Sequence, residues 1–241
     1  DKIVEYIGKN KQARVVDLVR LLGFSSVAVH KQLRKLAKEK KVKKIGKPPK
    51  VFYVLDSQKD FLQNAVAWVY SLKPIILADE FYCSTRDVFQ ARLETLTSNL
   101  EQELGQGAYL LGAVAGEIGN NSFDHNLGRW RDIPGIFFAH DPQNKTIILA
   151  DRGVGILKTI KHVVPGVKND LEALEIAFTK IISGRKGEQR GNGLKFVAEV
   201  VKKENCLLAF FSGEAEALLN PNLTIKKVKK KFDGCLSVLN Y

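Results

Sequence analysis

Positive charge is crowded into the first quarter of this chain, and the crowding divides it into parts. Residues 1–56 hold 15 basic and 5 acidic residues, a net of +10. Residues 58–223 hold 18 basic and 20 acidic residues, a net of −2, and the last eighteen hold 5 basic and 1 acidic. The 241-residue chain therefore reads as a small basic head, a nearly neutral body and a short basic tail, with the overall +12 lodged mostly in the head. A head of that kind calls for a polyanion, nucleic acid first and an anionic membrane second. With 45% hydrophobic and 27% charged residues the chain has the makings of a sizeable core and does not resemble a disordered segment.

Several classes are set aside at once. The longest apolar run, around Tyr109 to Ala115, falls far short of the ~18 residues of a spanning helix, and no signal-peptide pattern opens the chain. Cys83, Cys206 and Cys235 form no CxxC pair and are odd in number, so neither a disulfide framework nor a zinc site is expected. A reducing, cytoplasmic location is the expectation that follows.

The head reads as three helices and two short strands. Ile3, Val4 and Ile7 give one apolar face, and Val15, Val16, Leu18, Val19 and Leu22 a second, stopped by Gly23. Ser25 or Ser26 then caps a third helix with the stripe Val29, Leu33 and Leu36. Two helices joined by a short Gly-containing turn are the helix-turn-helix signature. The third helix turns Val27, His30, Lys31 and Arg34 away from its stripe, where with Ser26 they are candidates to enter a major groove. Val42–Ile45 and Val51–Leu55 read as strands around a basic loop whose Lys47 and Lys50 would lie against phosphates. Residues 1–57 resemble a winged helix-turn-helix domain on the run Gly23-Phe24-Ser25-Ser26-Val27-Ala28-Val29-His30-Lys31-Gln32-Leu33 and the wing ending Val51-Phe52-Tyr53-Val54-Leu55. Double-stranded DNA is the partner that resemblance implies. An inserted membrane helix is disfavoured, because the head's apolar faces are spent on its own core.

Residues 58–106 read as a helical connector, with one helix over Phe61–Tyr70 and a longer one over Thr85–Leu104 bearing Val88, Leu93, Leu96 and Leu100. The longer helix is a candidate surface for a homodimer.

The body, residues 107–241, carries three short motifs in order. A helix from about Gly107 to Asn126 places Glu117, Asn121 and His125 four residues apart on one face. The Asn oxygen suits Mg²⁺, which prefers hard oxygen donors, and the Glu can accept a proton from an attacking hydroxyl. After the strand-like run Thr146–Ala150 comes Asp151-Arg152-Gly153-Val154-Gly155. A carboxylate at a strand end can accept a hydrogen bond from an exocyclic amine, and Gly153 and Gly155 let the backbone come close. Third, Arg190-Gly191-Asn192-Gly193-Leu194 opens a helix, a setting for phosphate at exposed amides. The stretch before it carries Arg185 and Lys186, two cations suited to a lid.

Each motif alone is weak, and the ordered set is not. It resembles the GHKL ATPases of gyrase, heat-shock chaperone and histidine kinase type, over roughly residues 75–241. The resemblance implies an α+β chain: a winged head followed by a Bergerat α/β sandwich, helices on one face of a mixed sheet. It implies ATP and Mg²⁺, with Asn121 as metal ligand, Glu117 as general base and Asp151 reading adenine. Gly153 and Gly155 match the first glycine box. Gly191, Gly193 and Leu194, with Arg185, Lys186 and Arg190, match the phosphate side. Cys235 departs from the Gly-Thr that many members have there.

Two functions follow as expectations. In one, an ATP-sensing module controls DNA binding by the head, a transcriptional regulator. In the other, the body is a serine/threonine kinase of anti-sigma-factor type, acting on a STAS-like protein, and the head regulates its own operon. The Lys226–Lys231 cluster either extends the DNA footprint or solvates an edge strand.

Overall fold

The computed structural model describes residues 1–10, 12–39, 41–45, 48–49, 51–55, 61–180 and 193–241. The chain divides into two units, Asp1–Asp60 and Phe61–Tyr241.

In the first unit, α1 (Lys2–Asn10), α2 (Val15–Leu22) and α3 (Ser26–Lys38) are followed by an antiparallel pair, β1 (Val42–Ile45) and β2 (Phe52–Leu55). Ala13 joins the pair through a two-way backbone bridge with Tyr53, 2.8 and 2.7 Å. The helix ends are where the sequence places them: Gly23 stops α2 in the left-handed conformation, φ +67°, and the Ser25 hydroxyl accepts the Ala28 N–H to cap α3. Ile3, Ile7, Leu18, Val29, Leu33 and Leu36 close over Val42 and Tyr53 as one core. Val16 is not part of it. It turns to solvent, one step off the face that Leu18 buries.

The second unit is built on a five-stranded sheet, β3 (Tyr82–Cys83), β4 (Ile136–Asp141), β5 (Thr146–Asp151), β6 (Leu207–Asn220) and β7 (Asn222–Asn240), in spatial order β3-β4-β5-β7-β6. Every pairing among the described residues is antiparallel, which corrects the expected mixed sheet. The cause is topological. The helical crossover from β5 delivers β6 in the same direction as β5, and side by side they would pair in parallel. The hairpin return β7 inserts between them instead, so each hydrogen-bonded neighbour runs the opposite way.

Among the described residues six helices serve this sheet: α4 (Phe61–Tyr70), α5 (Arg86–Leu104), α6 (Gly107–Asn126), α7 (Gly155–Val163), α8 (Asp170–Thr179) and α9 (Gly193–Lys203). Successive strand residues point to opposite faces, and both faces are covered. Ile136, Phe138, Ile147, Leu149, Leu208 and Phe210 pack with α5, α6, α8 and α9. Phe137, Ala139, Ile148 and Ala150 pack with Ala65, Trp68 and Val69 of α4 and with Phe81. Helices therefore lie on both faces rather than one, and α4 is part of the packed unit. On α5 the buried stripe is Phe89, Leu93, Leu96 and Leu100, with Val88 outside it.

The β6–β7 hairpin outruns the sheet. β5 pairs only with residues 235–240 of β7, so Asn222 to Lys227, and Phe232 beyond a register shift, pair with β6 alone. The lysine cluster lies on this overhang. Lys226 and Lys227 bridge Glu216 and Glu214 at 3.0 Å, and Lys230 sits 3.5 Å over the Tyr70 ring. No helix among the described residues is long and apolar enough to cross a membrane.

Candidate functional site

α6 runs uninterrupted through the centre of the site, and the two sides of its C-terminal half face different things. Glu117 and Asn121, one turn apart, meet the start of α9. A β-carbon at Gly193 would lie 2.5 Å from Glu117 Oε2 and 3.0 Å from Asn121 Nδ2, so any larger residue there would have to displace the ends of these two side chains. The first and third motifs are thereby brought together. Both side chains are half-buried, and neither makes a side-chain hydrogen bond among the described residues. Partial burial, with a contribution from the Asp124 charge, pushes the Glu117 carboxyl above the ordinary carboxylate range. Asp124 is itself bridged to Arg86.

Ser122 and Asn126, also one turn apart, reach the end of β5. The Ser122 hydroxyl donates to Asp151 Oδ2 at 2.8 Å, and Asn126 Nδ2 donates to Oδ1 at 3.3 Å. Gly153 N–H donates to the same Oδ1 at 2.8 Å, while Asn126 Oδ1 accepts the Val154 N–H at 2.8 Å. The Asn126 carboxamide lies against Gly153 so closely that a β-carbon there would come within 2.0 Å of it. The first and second motifs are thus locked together as well. Asp151 is 1% exposed. Burial raises its pKa, against the pull of these hydrogen bonds.

Gly155 opens α7 with φ +75°, a conformation that suits glycine. Cys235 faces Asp151 across the β5–β7 pair. Burial and the Asp151 charge push its thiol far above its ordinary value. The hydroxyl missing at position 235 has a counterpart on β6: Ser212 Oγ donates to Gly234 O at 3.0 Å and accepts the Ile156 N–H at 2.9 Å. Those bonds tie it to backbone. Leu194, expected near the ligand, packs into the main core at 9% exposed. His125 lies on the surface beyond Asn121. Arg185, Lys186, Arg190 and Gly191 fall outside the described residues.

In the first unit, Ser26, Val27, Lys31 and Arg34 are exposed on α3 and His30 is half-buried beside them, while Val29, Leu33 and Leu36 face inward. Val27 stands 78% exposed. Lys47 and Lys50 lie outside the described residues.

Sequence reasoning missed three residues of the site. Ser122 and Asn126 sit inside the first motif, and the same four-residue step that links Glu117 to Asn121 links them. Arg152 lies inside the second motif, and nothing in the sequence marks it.

Hard donors from Glu117 and Asn121 that lack partners among the described residues, beside a helix start with no side chain, fit a hydrated divalent cation carrying phosphate oxygens. Among the described residues no group of three or more His, Cys, Asp or Glu side chains is placed to hold a metal by protein ligands alone. A cation here would depend on the phosphates to complete its shell. Compared with protein-family models and with curated proteins, the chain matches none.

Proposed function

We propose that the second unit binds ATP·Mg²⁺ as a GHKL-type module, a variant of Bergerat architecture with an antiparallel sheet and an added helix, α4, on the second face, and that nucleotide state controls DNA binding by a winged-helix first unit. The observation that carries this reading is α6 as a common spine. One side of it sets Glu117 and Asn121 against Gly193 with no partner among the described residues, and the other fixes Asp151 through Ser122 and Asn126. Asn121 would hold Mg²⁺, the start of α9 would receive phosphate at its free amides, and Asp151 would accept from the adenine amine. The bound ion supplies charge neutralisation at the phosphates. For the first unit the support is the outward face of α3 and the +10 charge of residues 1–56.

A second reading has its own support. Glu117 is half-buried, without a partner among the described residues and raised in pKa, the state of a carboxylate poised to take a hydroxyl proton. It favours phosphoryl transfer to a Ser or Thr of a STAS-like partner.

Calorimetry of the full chain with ATP·Mg²⁺ tests the common ground. Binding in the micromolar to millimolar range is expected, lost in Asp151→Asn, which keeps the side-chain shape. Absence of binding to the wild type refutes the nucleotide reading. Labelled ATP then separates the two functions, since Glu117→Gln abolishes transfer in the second and leaves sensing intact in the first. Retardation of promoter DNA should weaken steeply with salt. A flat response refutes the DNA reading.

A further inference from the structure

Arg152 has no part in the reading above, yet it is wholly buried, and a buried cation is tolerated only when its donors are met. All five of its N–H groups have acceptors. Nε donates to Asp132 Oδ1 at 2.9 Å, and Nη2 to Asp132 Oδ2 and to Ser71 O at 2.9 Å. Nη1 donates to Trp68 O, to Ser71 Oγ at 3.0 Å and to Val69 O at 3.3 Å. Trp68 and Val69 end α4, where carbonyls have no donors from their own helix, so the guanidinium caps α4 and places charge at the negative end of its dipole.

The same residue is the apex of the base-reading turn. Asp151 Oδ1 accepts the Gly153 N–H across Arg152, and the following amide, Val154 N–H, is held by Asn126. The Arg152 carbonyl accepts the Arg131 N–H at 3.1 Å. Arg131 in turn bridges Asp233 at 3.0 Å, two residues before the Cys235 that pairs with Asp151. The turn is held from inside by α6 and from outside through Arg152.

We propose that Arg152 is a positioning residue, which pins the apex of the Asp151–Gly153 turn to the end of α4 and to Asp132 and so fixes the orientation in which Asp151 meets the base. This rests on the nucleotide reading. An anchor that served stability alone would not affect which base the folded protein prefers. A positioning residue would, because a loosened turn lets the carboxylate swing while the phosphate end, built on Glu117, Asn121 and Gly193, stays as it is.

The test uses ATP and ITP, whose base carries a carbonyl where adenine carries its amine, titrated with Mg²⁺ into the full chain below its melting temperature. The wild type should prefer ATP. In Arg152→Lys, which keeps the charge and loses the fork, and in Asp132→Asn, ATP affinity should fall about tenfold while ITP affinity stays within about twofold. The preference collapses. Variants that keep the wild-type ATP-to-ITP ratio overturn the proposal, however far their melting temperatures fall. Should Arg152→Lys not fold, Asp132→Asn decides by the same ratio. A wild type that binds neither nucleotide defeats the nucleotide reading, and one that binds both equally defeats this proposal together with the adenine-reading role of Asp151, leaving triphosphate binding itself in place.

Discussion

The two ends of the candidate site are finished to different degrees. At the base end, Asp151 is buried and already accepts from Ser122, Asn126 and Gly153, with Arg152 fastened behind it. At the phosphate end, Glu117 and Asn121 face Gly193 with no protein partner among the described residues. A network satisfied within the protein rigidifies its surroundings. Polar groups left unpaired and half-exposed wait for something to pair with. On the proposed nucleotide reading, recognition would be built into the fold at one end and completed by the ligand at the other.

Substitutions should therefore cost stability at the base end and activity at the phosphate end. The largest effect is expected at Arg152. Arg152→Met removes the cation and leaves Asp132 and the α4 carbonyls facing an apolar chain, for a loss of about 3–5 kcal/mol in urea unfolding. A loss below about 1 kcal/mol would break the contrast outright.

Next comes Asp132→Asn, with a pH signature. The hydrogen bonds from Arg152 are the largest influence holding the Asp132 carboxyl below its ordinary value. A depressed carboxylate contributes stability that is full above the unfolded pKa, about 3.9, and is lost as pH falls through the lower folded value. The melting-temperature gap between wild type and variant should be wide at neutral pH and should close below about pH 4. A gap constant with pH would show that the charge is not what matters.

Ser122→Ala removes one donor from a buried carboxylate and should cost about 1–3 kcal/mol. The smallest effect belongs to Glu117→Gln, expected within about 0.5 kcal/mol of wild type by thermal unfolding. With Glu117 carrying a raised pKa, any phosphoryl transfer it supports should also lose rate on the acid side at a pH above the ordinary glutamate value of about 4.3. An acid limb at or below that value would mean that Glu117 is not the base.

The three helices of the first unit and α4, α5, α6 and α9 of the second were legible in the sequence, because caps and apolar stripes are local, whereas α7 and α8 were not read from it. Ser25, Gly23 and Thr85 sit where their backbone roles demand. The order and spacing of the motifs pointed to Glu117, Asn121 and Asp151 as one candidate site, and in the fold the three motifs meet on α6. Much else was not legible. The run at 136–139 is apolar throughout because both faces of the strand are covered, so it lacks the alternation that marks a half-buried strand. The hairpin arms beyond Gly213 show charged residues alternating with small ones, and the lysines masked the strand beneath them. Sheet order depends on which strand a hairpin returns beside, which no local pattern encodes. Arg152 was illegible for a like reason. A buried cation is defined by acceptors at residues 68–71 and 132, far from it in sequence.

The place of β7 in the sheet bears on how the unit is made. β5 is flanked by β7 through the register Thr146 to Asn240 and Asp151 to Cys235, so 84 residues separate the Asp at the site from its partner across the sheet. During synthesis that interval lasts roughly 4–17 s. Through it Asp151 has β4 beside it and the partners that close its turn, but the other edge of β5 stays open. The sheet around the candidate site is therefore completed late, by a contact of long sequence separation, which is also the kind that forms slowly.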